Sequence, residues 1–161
     1  MAFFRILQNC MRMPGKASVF ALNRVSMRDT LLYIFILMLL SSVPDIIDLL
    51  VNGRFSNQTY ESVLYLQVFL FYPLYIIFIG IIAISLLSAA AYVIKTVMKR
   101  KLTYHHLWKL TAFSATVPLL LNAVFKGLGY RNIWITVLLV VLLFFYLIKM
   151  IRVFPIISNK K

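Results

Sequence analysis

The sequence predicts an all-α integral membrane protein: four transmembrane helices in an antiparallel bundle, both termini cytoplasmic, preceded by an amphipathic N-terminal arm. Three observations carry this. Hydrophobic residues make up 63% of the 161-residue chain and charged residues 13%, where soluble chains carry about 25% charged residues. Four uncharged runs approach or exceed the length needed to cross a bilayer. Basic residues fall almost wholly on one side of those runs.

The arm, residues 1–28, is basic. Phe3, Phe4, Leu7 and Met11 share one helical face, with Arg5, Gln8, Asn9 and Arg12 largely opposite, the pattern of a helix lying in the membrane interface. The first long apolar run begins near Leu31, after five basic residues and without a small-residue cleavage pattern. It therefore reads as an anchor and not as a secretory signal.

Residues 29–161 form the membrane domain, with spans expected at about 30–51, 73–95, 108–126 and 131–150. The first follows LLYIFILMLLSSVP and continues through Ile46, Ile47, Leu49 and Leu50. The second uncharged run, Ser62–Ile94, would reach about 50 Å as one straight helix, against a hydrocarbon core of about 30 Å. Pro73 divides it, leaving 62–72 near the interface and Leu74–Ile94 to span. The third run, Leu110–Phe125, contains Pro118, and the fourth holds IWITVLLVVLLFFYLI. Prolines inside spans are tolerated where neighbouring groups satisfy the freed carbonyls.

The charge count fixes the expected orientation. The arm, the loop around Lys99 and the C-terminal tail together hold 14 of the 17 Lys and Arg residues; only Arg54, Lys126 and Arg131 lie opposite. That asymmetry places both termini inside and accounts for the net charge of +13 without nucleic acid. Tyr60, Tyr72, Tyr130 and Trp134 would mark the outer interface, and Tyr92, Tyr104, Trp108 and Tyr146 the inner one.

Two stretches, LLYIFILMLLSSVPDII and KRKLTYHHLWKLTAFSATVPLLL, together with the arm FFRILQNCMRMPGK, carry a resemblance. The chain resembles a family of uncharacterised membrane proteins from Gram-positive bacteria, some of them found in maltodextrin-utilisation gene clusters. That family in turn resembles the Yip-type membrane superfamily. The resemblance implies a bacterial plasma membrane and a partner in transport or envelope machinery; it supplies no catalytic residues. Larger relatives carry an extracytoplasmic insertion after the first span, where this chain has only a short loop.

Few residues suggest chemistry. Asp45 and Asp48 share a helix face and could meet Lys126 or a cation at the outer interface; the plainer reading is a solvated helix end. Adjacent His105 and His106 point about 100° apart on a helix. They would lie about 30 Å of bilayer away from the aspartates, too far for joint acid–base work. Asn122 stands one turn before Lys126 and is expected to bond within the bundle. Arg5, Arg12, Lys16, Lys99, Arg100 and Lys101 could contact anionic headgroups, each contributing about 1 kcal/mol near such a surface. Ser85 with Ala89, and Ala112 with Thr116, have small-xxx-small spacing, widened by Ala115; they serve packing within the bundle or docking to a partner. Asn57-Gln58-Thr59 is a sequon on the outer side.

The single cysteine, Cys10, excludes an internal disulfide, and no cluster has metal-ligand spacing. Neither a nucleophile–base pair nor a phosphate-cradling glycine loop is present, so no enzyme and no cofactor is expected. The expected function is a non-catalytic membrane interaction protein, an accessory or scaffolding subunit of a larger transport or envelope complex. The alternative is a small oligomeric lipid-handling or transport protein. Expected partners are a bilayer with anionic headgroups and another integral membrane protein or a second copy.

Overall fold

The computed structural model describes residues 2–13, 15–52 and 70–155. The outer loop with its sequon, Tyr60, residues 62–69 of the expected interfacial segment, and Lys160 and Lys161 lie outside the described residues. Among the described residues seven helices follow in order: α1 (Ala2–Met11), α2 (Lys16–Asn23), α3 (Met27–Asn52), α4 (Tyr72–Val97), α5 (Tyr104–Ser114), α6 (Thr116–Gly127) and α7 (Ile133–Arg152). Among the described residues, four stretches are long and apolar enough to cross a membrane: Met27–Asp48, Tyr72–Val97, Tyr104–Gly127 and Ile133–Arg152.

Local chemistry sets the helix ends. Ser26 opens α3 by accepting the Asp29 N–H at 3.0 Å, and Asn132 opens α7 by accepting the Trp134 N–H at 3.1 Å. Pro73 stands in the first turn of α4, where a missing N–H costs nothing. Pro118 breaks the third span: a proline has no N–H to donate one turn back and its ring crowds the carbonyl there. The rod divides at Ala115 into α5 and α6. The Ser114 hydroxyl and the Ala115 N–H both turn to the Thr111 carbonyl, at 2.8 and 3.1 Å.

The least apolar span is the most buried. In the most apolar 18-residue stretch of each span, Tyr104–Gly127 has a mean hydropathy of 1.3 and is 61% buried, whereas the others reach 2.1 to 2.5 and are 22–33% buried. The physical reason is the absence of water in the bilayer core: polar groups there must find partners inside the protein. Leu107, Leu110, Thr111, Ala112, Phe113, Ser114 and Thr116 have no exposed surface. The outer helices keep their purely apolar sides outward: Phe78, Ile82 and Leu86 on α4, and Leu138 and Val141 on α7, are all exposed.

Hydrogen bonds fix the register. Along α3 and α6 the pairs climb together: Tyr33 with Thr116 at 3.0 Å, Ser41 with the Leu119 carbonyl at 3.4 Å, Asp45 with Lys126 at 2.7 Å. Between α4 and α5 they run oppositely. The Trp108 Nε1–H donates to Ser85 Oγ at 3.3 Å and Lys95 to the Leu102 carbonyl at 3.1 Å. Gly80 lets the Met38 thioether of α3 occupy the space where a Cβ would stand on α4. Arg100 donates to the Phe154 carbonyl and the Lys101 N–H to Pro155, so the α4–α5 loop meets the end of α7.

The arm buries a face different from the expected apolar stripe. It forms two helices, and the face of α1 that the fold buries is Ile6 and Cys10, with Phe3 and Leu7 flanking; Phe4 and Met11 stay 67% and 61% exposed. The buried stripe is turned by part of a helical step from the one that Phe3, Phe4, Leu7 and Met11 define. The packing partners are Tyr33, whose ring lies 5.2 Å from that of Phe3, and the start of α6. Ile6, Cys10, Met13, Val19 and Leu22 belong to the same apolar cluster as Leu37, Phe113 and Leu147, so the arm packs onto the core of the spans.

Candidate functional site at the two charged ends

At the acidic end four charges converge. Lys126 Nζ lies 2.7 Å from Asp45 Oδ2, Arg131 Nη1 lies 2.7 Å from Asp48 Oδ2, and Arg131 Nη2 lies 3.7 Å from Asp45 Oδ1. The structure therefore brings Asp45, Asp48 and Lys126 into one network. It adds Arg131, which sequence reasoning had counted only as one of three outer basic residues. The turn that delivers Arg131 is readable. Gly129 has φ +82°, and the N–H groups of Gly129 and Tyr130 bond back to the Lys126 and Phe125 carbonyls at 3.0 and 2.9 Å. This is a Schellman end, which favours glycine at the left-handed position. A glycine two residues before an arginine, at the end of an apolar helix, was the available signal.

Cavities surround this network. One of about 280 Å³ is walled by Asp45, Asn122, Lys126, Arg131 and Thr136. Deeper lies an apolar cavity of about 200 Å³ between α4 and α7, floored by Ala115, Pro118 and Leu119 of α5–α6 and sharing Asn122 and Thr136 with the first. A third, of about 240 Å³, reaches Asp45 and Lys126 from the α3–α4 side.

The basic end is organised around Lys109. Its side chain is 4% exposed, and its ammonium donates to the Asn23 carbonyl at 2.8 Å and the Val25 carbonyl at 2.9 Å. It closes the C-terminus of α2, where the helix dipole favours a cation. Beside it, His106 Nδ1 is buried without a partner among the described residues, and His105 is exposed. The histidines and Lys126 stand 20 residues or more apart on one helical rod, about 30 Å, so the structure does not bring the histidines to the aspartates. Arg5, Arg12, Lys16, Lys99 and Lys101 are exposed, whereas Arg100 is turned in to the Phe154 carbonyl.

Between the two ends, Cys10 is wholly buried. Burial pushes its thiol up to about 11, with the Thr116 and Tyr33 hydroxyls offsetting part of the shift. Of the small residues, Ala112, Ala115 and Thr116 are buried inside the chain, and Ser85 is engaged by Trp108. Ala89 alone of that set is exposed. Among the described residues no group of three or more His, Cys, Asp or Glu is placed to hold a metal ion.

Residues 50–151, more than half of the chain, match the model of the family described as "Protein of unknown function (DUF1189)". The chain belongs to that family. No curated protein and no solved structure matches it. In this DUF1189 member the matched stretch ends within α7 and takes in the central α5–α6 rod, Lys126 and Arg131. Asp45 and the arm that Lys109 secures precede it.

Proposed function

We propose that this DUF1189 protein is a non-catalytic plasma-membrane protein: an antiparallel four-helix bundle with both termini cytoplasmic, acting as an accessory or scaffolding subunit of a larger transport or envelope complex. The charge asymmetry between the ends supports the orientation. Exposed Arg5, Arg12, Lys16, Lys99 and Lys101 then face the cytoplasmic leaflet, where anionic headgroups attract them.

The observation that carries the subunit reading is the outward stripe of α4. Phe78, Ile82, Leu86, Ala89, Val93 and Val97 recur at helical spacing and are all exposed, with Ala89 making a notch between bulky neighbours. Small residues flanked by large ones let a second transmembrane helix approach closely. The deciding experiment is affinity purification of the full chain from native membranes in mild detergent. A stoichiometric membrane partner lost in Ala89→Leu, with the variant still inserted, supports the reading; an unchanged partner set in that variant overturns it.

A second reading, a small oligomeric lipid-handling protein, is favoured by the apolar cavity of about 200 Å³ that lies directly beneath the charged mouth.

A further inference from the structure

The two cavities sharing Asn122 and Thr136 have opposite characters. The deeper one is bounded by hydrocarbon: Ala83 and Ile84 from α4, Pro118 and Leu119 from α6, Leu139 and Leu143 from α7. The one above it has Asp45, Lys126 and Arg131 in its wall. An apolar void of about 150 Å³ in a protein stays dry and takes up a hydrocarbon guest. The deeper cavity here holds about 200 Å³ and opens sideways between α4 and α7, two helices whose mutual contact is slight. In a bilayer the abundant guest at such an opening is an acyl chain.

The junction is polar: the Asn122 amide is half-buried and the Thr136 hydroxyl exposed, both line the two cavities, and both lie within spans. A primary amide away from water needs a partner. The ester region of a glycerolipid, placed where chain meets headgroup, offers carbonyl acceptors at that level.

The charges above the junction select the headgroup. Asp45 and Asp48 balance Lys126 and Arg131, so the mouth as a whole is neutral. Lys126 carries three N–H donors and Arg131 five, more than their ion pairs with the aspartates use. A purely anionic headgroup would meet the two carboxylates as well as the cations. A zwitterionic one places its phosphate on Lys126 and Arg131 and its ammonium on Asp45.

We propose that this crevice is a binding site for one zwitterionic phospholipid of the phosphatidylethanolamine class, its acyl chain between α4 and α7, its ester at Asn122 and Thr136, its headgroup in the mouth. The proposal gives the lipid-handling reading its ligand but needs no transport, and it is independent of any partner bound at Ala89.

The test uses the full chain reconstituted from vesicles of equal parts phosphatidylethanolamine and phosphatidylglycerol. After re-solubilisation in maltoside and gel filtration, retained phospholipid is counted by mass spectrometry. The expected result is phosphatidylethanolamine retained in stoichiometric amount and enriched over phosphatidylglycerol. Ala83→Phe and Thr136→Phe fill the crevice from opposite walls, and each is expected to lower retention about tenfold. Ala83 on α4 and Thr136 on α7 are both exposed and lie on different helices, so one variant reads the site even where the other fails to fold. Lys126→Gln/Arg131→Gln is expected to abolish the enrichment. Retention unchanged in a folded crevice variant, phosphatidylglycerol held in preference, or no lipid held by the parent chain overturns the proposal. None of those results bears on co-purification through α4, so the two readings fail separately.

Discussion

The ammonium of Lys109, in the middle of the most buried helix, lies 2.8 Å from the carbonyl oxygen of Asn23 at the end of α2. A second bond to Val25 at 2.9 Å makes the lysine the closure of that helix and the tie between the arm and the core. Among the described residues its charge is met by backbone carbonyls and by no carboxylate, an arrangement that works because helix C-terminal carbonyls carry partial negative charge. Replacing it by methionine keeps the stem's packing and strands the carbonyls. Lys109→Met is expected to cost about 2 kcal/mol and to loosen the arm first. Limited trypsinolysis checks this: cleavage at Arg24 or Arg28 should appear in the variant under conditions that leave the parent intact.

At the other end, the Asp45–Lys126 pair is about 30% exposed on each side, so solvent and headgroups screen it. A double-mutant cycle with Asp45→Asn and Lys126→Gln is expected to give a coupling of about 0.5–1 kcal/mol, the range of partly exposed pairs. Arg131 touches both aspartates, so Arg131→Gln should reduce stability more than Lys126→Gln does. Reversible unfolding in mixed micelles, read by circular dichroism, measures both. A coupling indistinguishable from zero would remove the network from the account of the fold.

The four spans are legible because their physics is one-dimensional: apolar length is a property of the chain itself. Which span sits in the middle was legible too, and was missed. The third span, 108–126, alone carries Lys109, Thr111, Ser114, Thr116 and Asn122, and in lipid a helix with that many polar groups has to be enclosed. The meeting of Asp45 with Lys126 was foreseeable from depth. Arg131 was not weighed with them because it depends on the backbone reversal at Gly129, a three-dimensional event. The arm misled for a related reason. Phe3, Phe4, Leu7 and Met11 give a clean amphipathic pattern, but Ile6 and Cys10 are the residues that Tyr33 and α6 accommodate, and no periodicity in α1 says which apolar side meets another helix.

Cys10 supplies a probe of that arm. A thiol needs to be ionised to react, and here it is buried with its pKa raised to about 11 by desolvation. Maleimide labelling at neutral pH is expected to be slow in the folded protein and fast after denaturation in SDS. A pKa raised on folding means that the folded state holds its proton more tightly, so stability is full below the free-thiol value and falls as pH rises through about 9 to about 11. Cys10→Ser should flatten that decline. Rapid labelling in the native state would place α1 away from Tyr33 and Thr116.

Two helix ends in this chain use the same turn with different residues, and they make opposite predictions. After α4 the left-handed position is Lys99, φ +50°, with the Lys99 and Arg100 N–H groups bonding back to the Thr96 and Lys95 carbonyls at 3.1 and 3.0 Å. After α6 it is Gly129. A side chain in this conformation costs about 1–2 kcal/mol, which glycine avoids at an entropic cost of about 0.5–1 kcal/mol in the unfolded chain. Gly129→Ala is therefore expected to destabilise by about 1 kcal/mol and to weaken the Arg131–Asp48 contact that the turn presents. Lys99→Gly is expected to stabilise by about 0.5–1 kcal/mol, the difference between those two costs. Thermal unfolding of the pair in one detergent decides it: melting temperatures must move in opposite directions. Two shifts of the same sign would mean that the turn geometry is not what sets either residue.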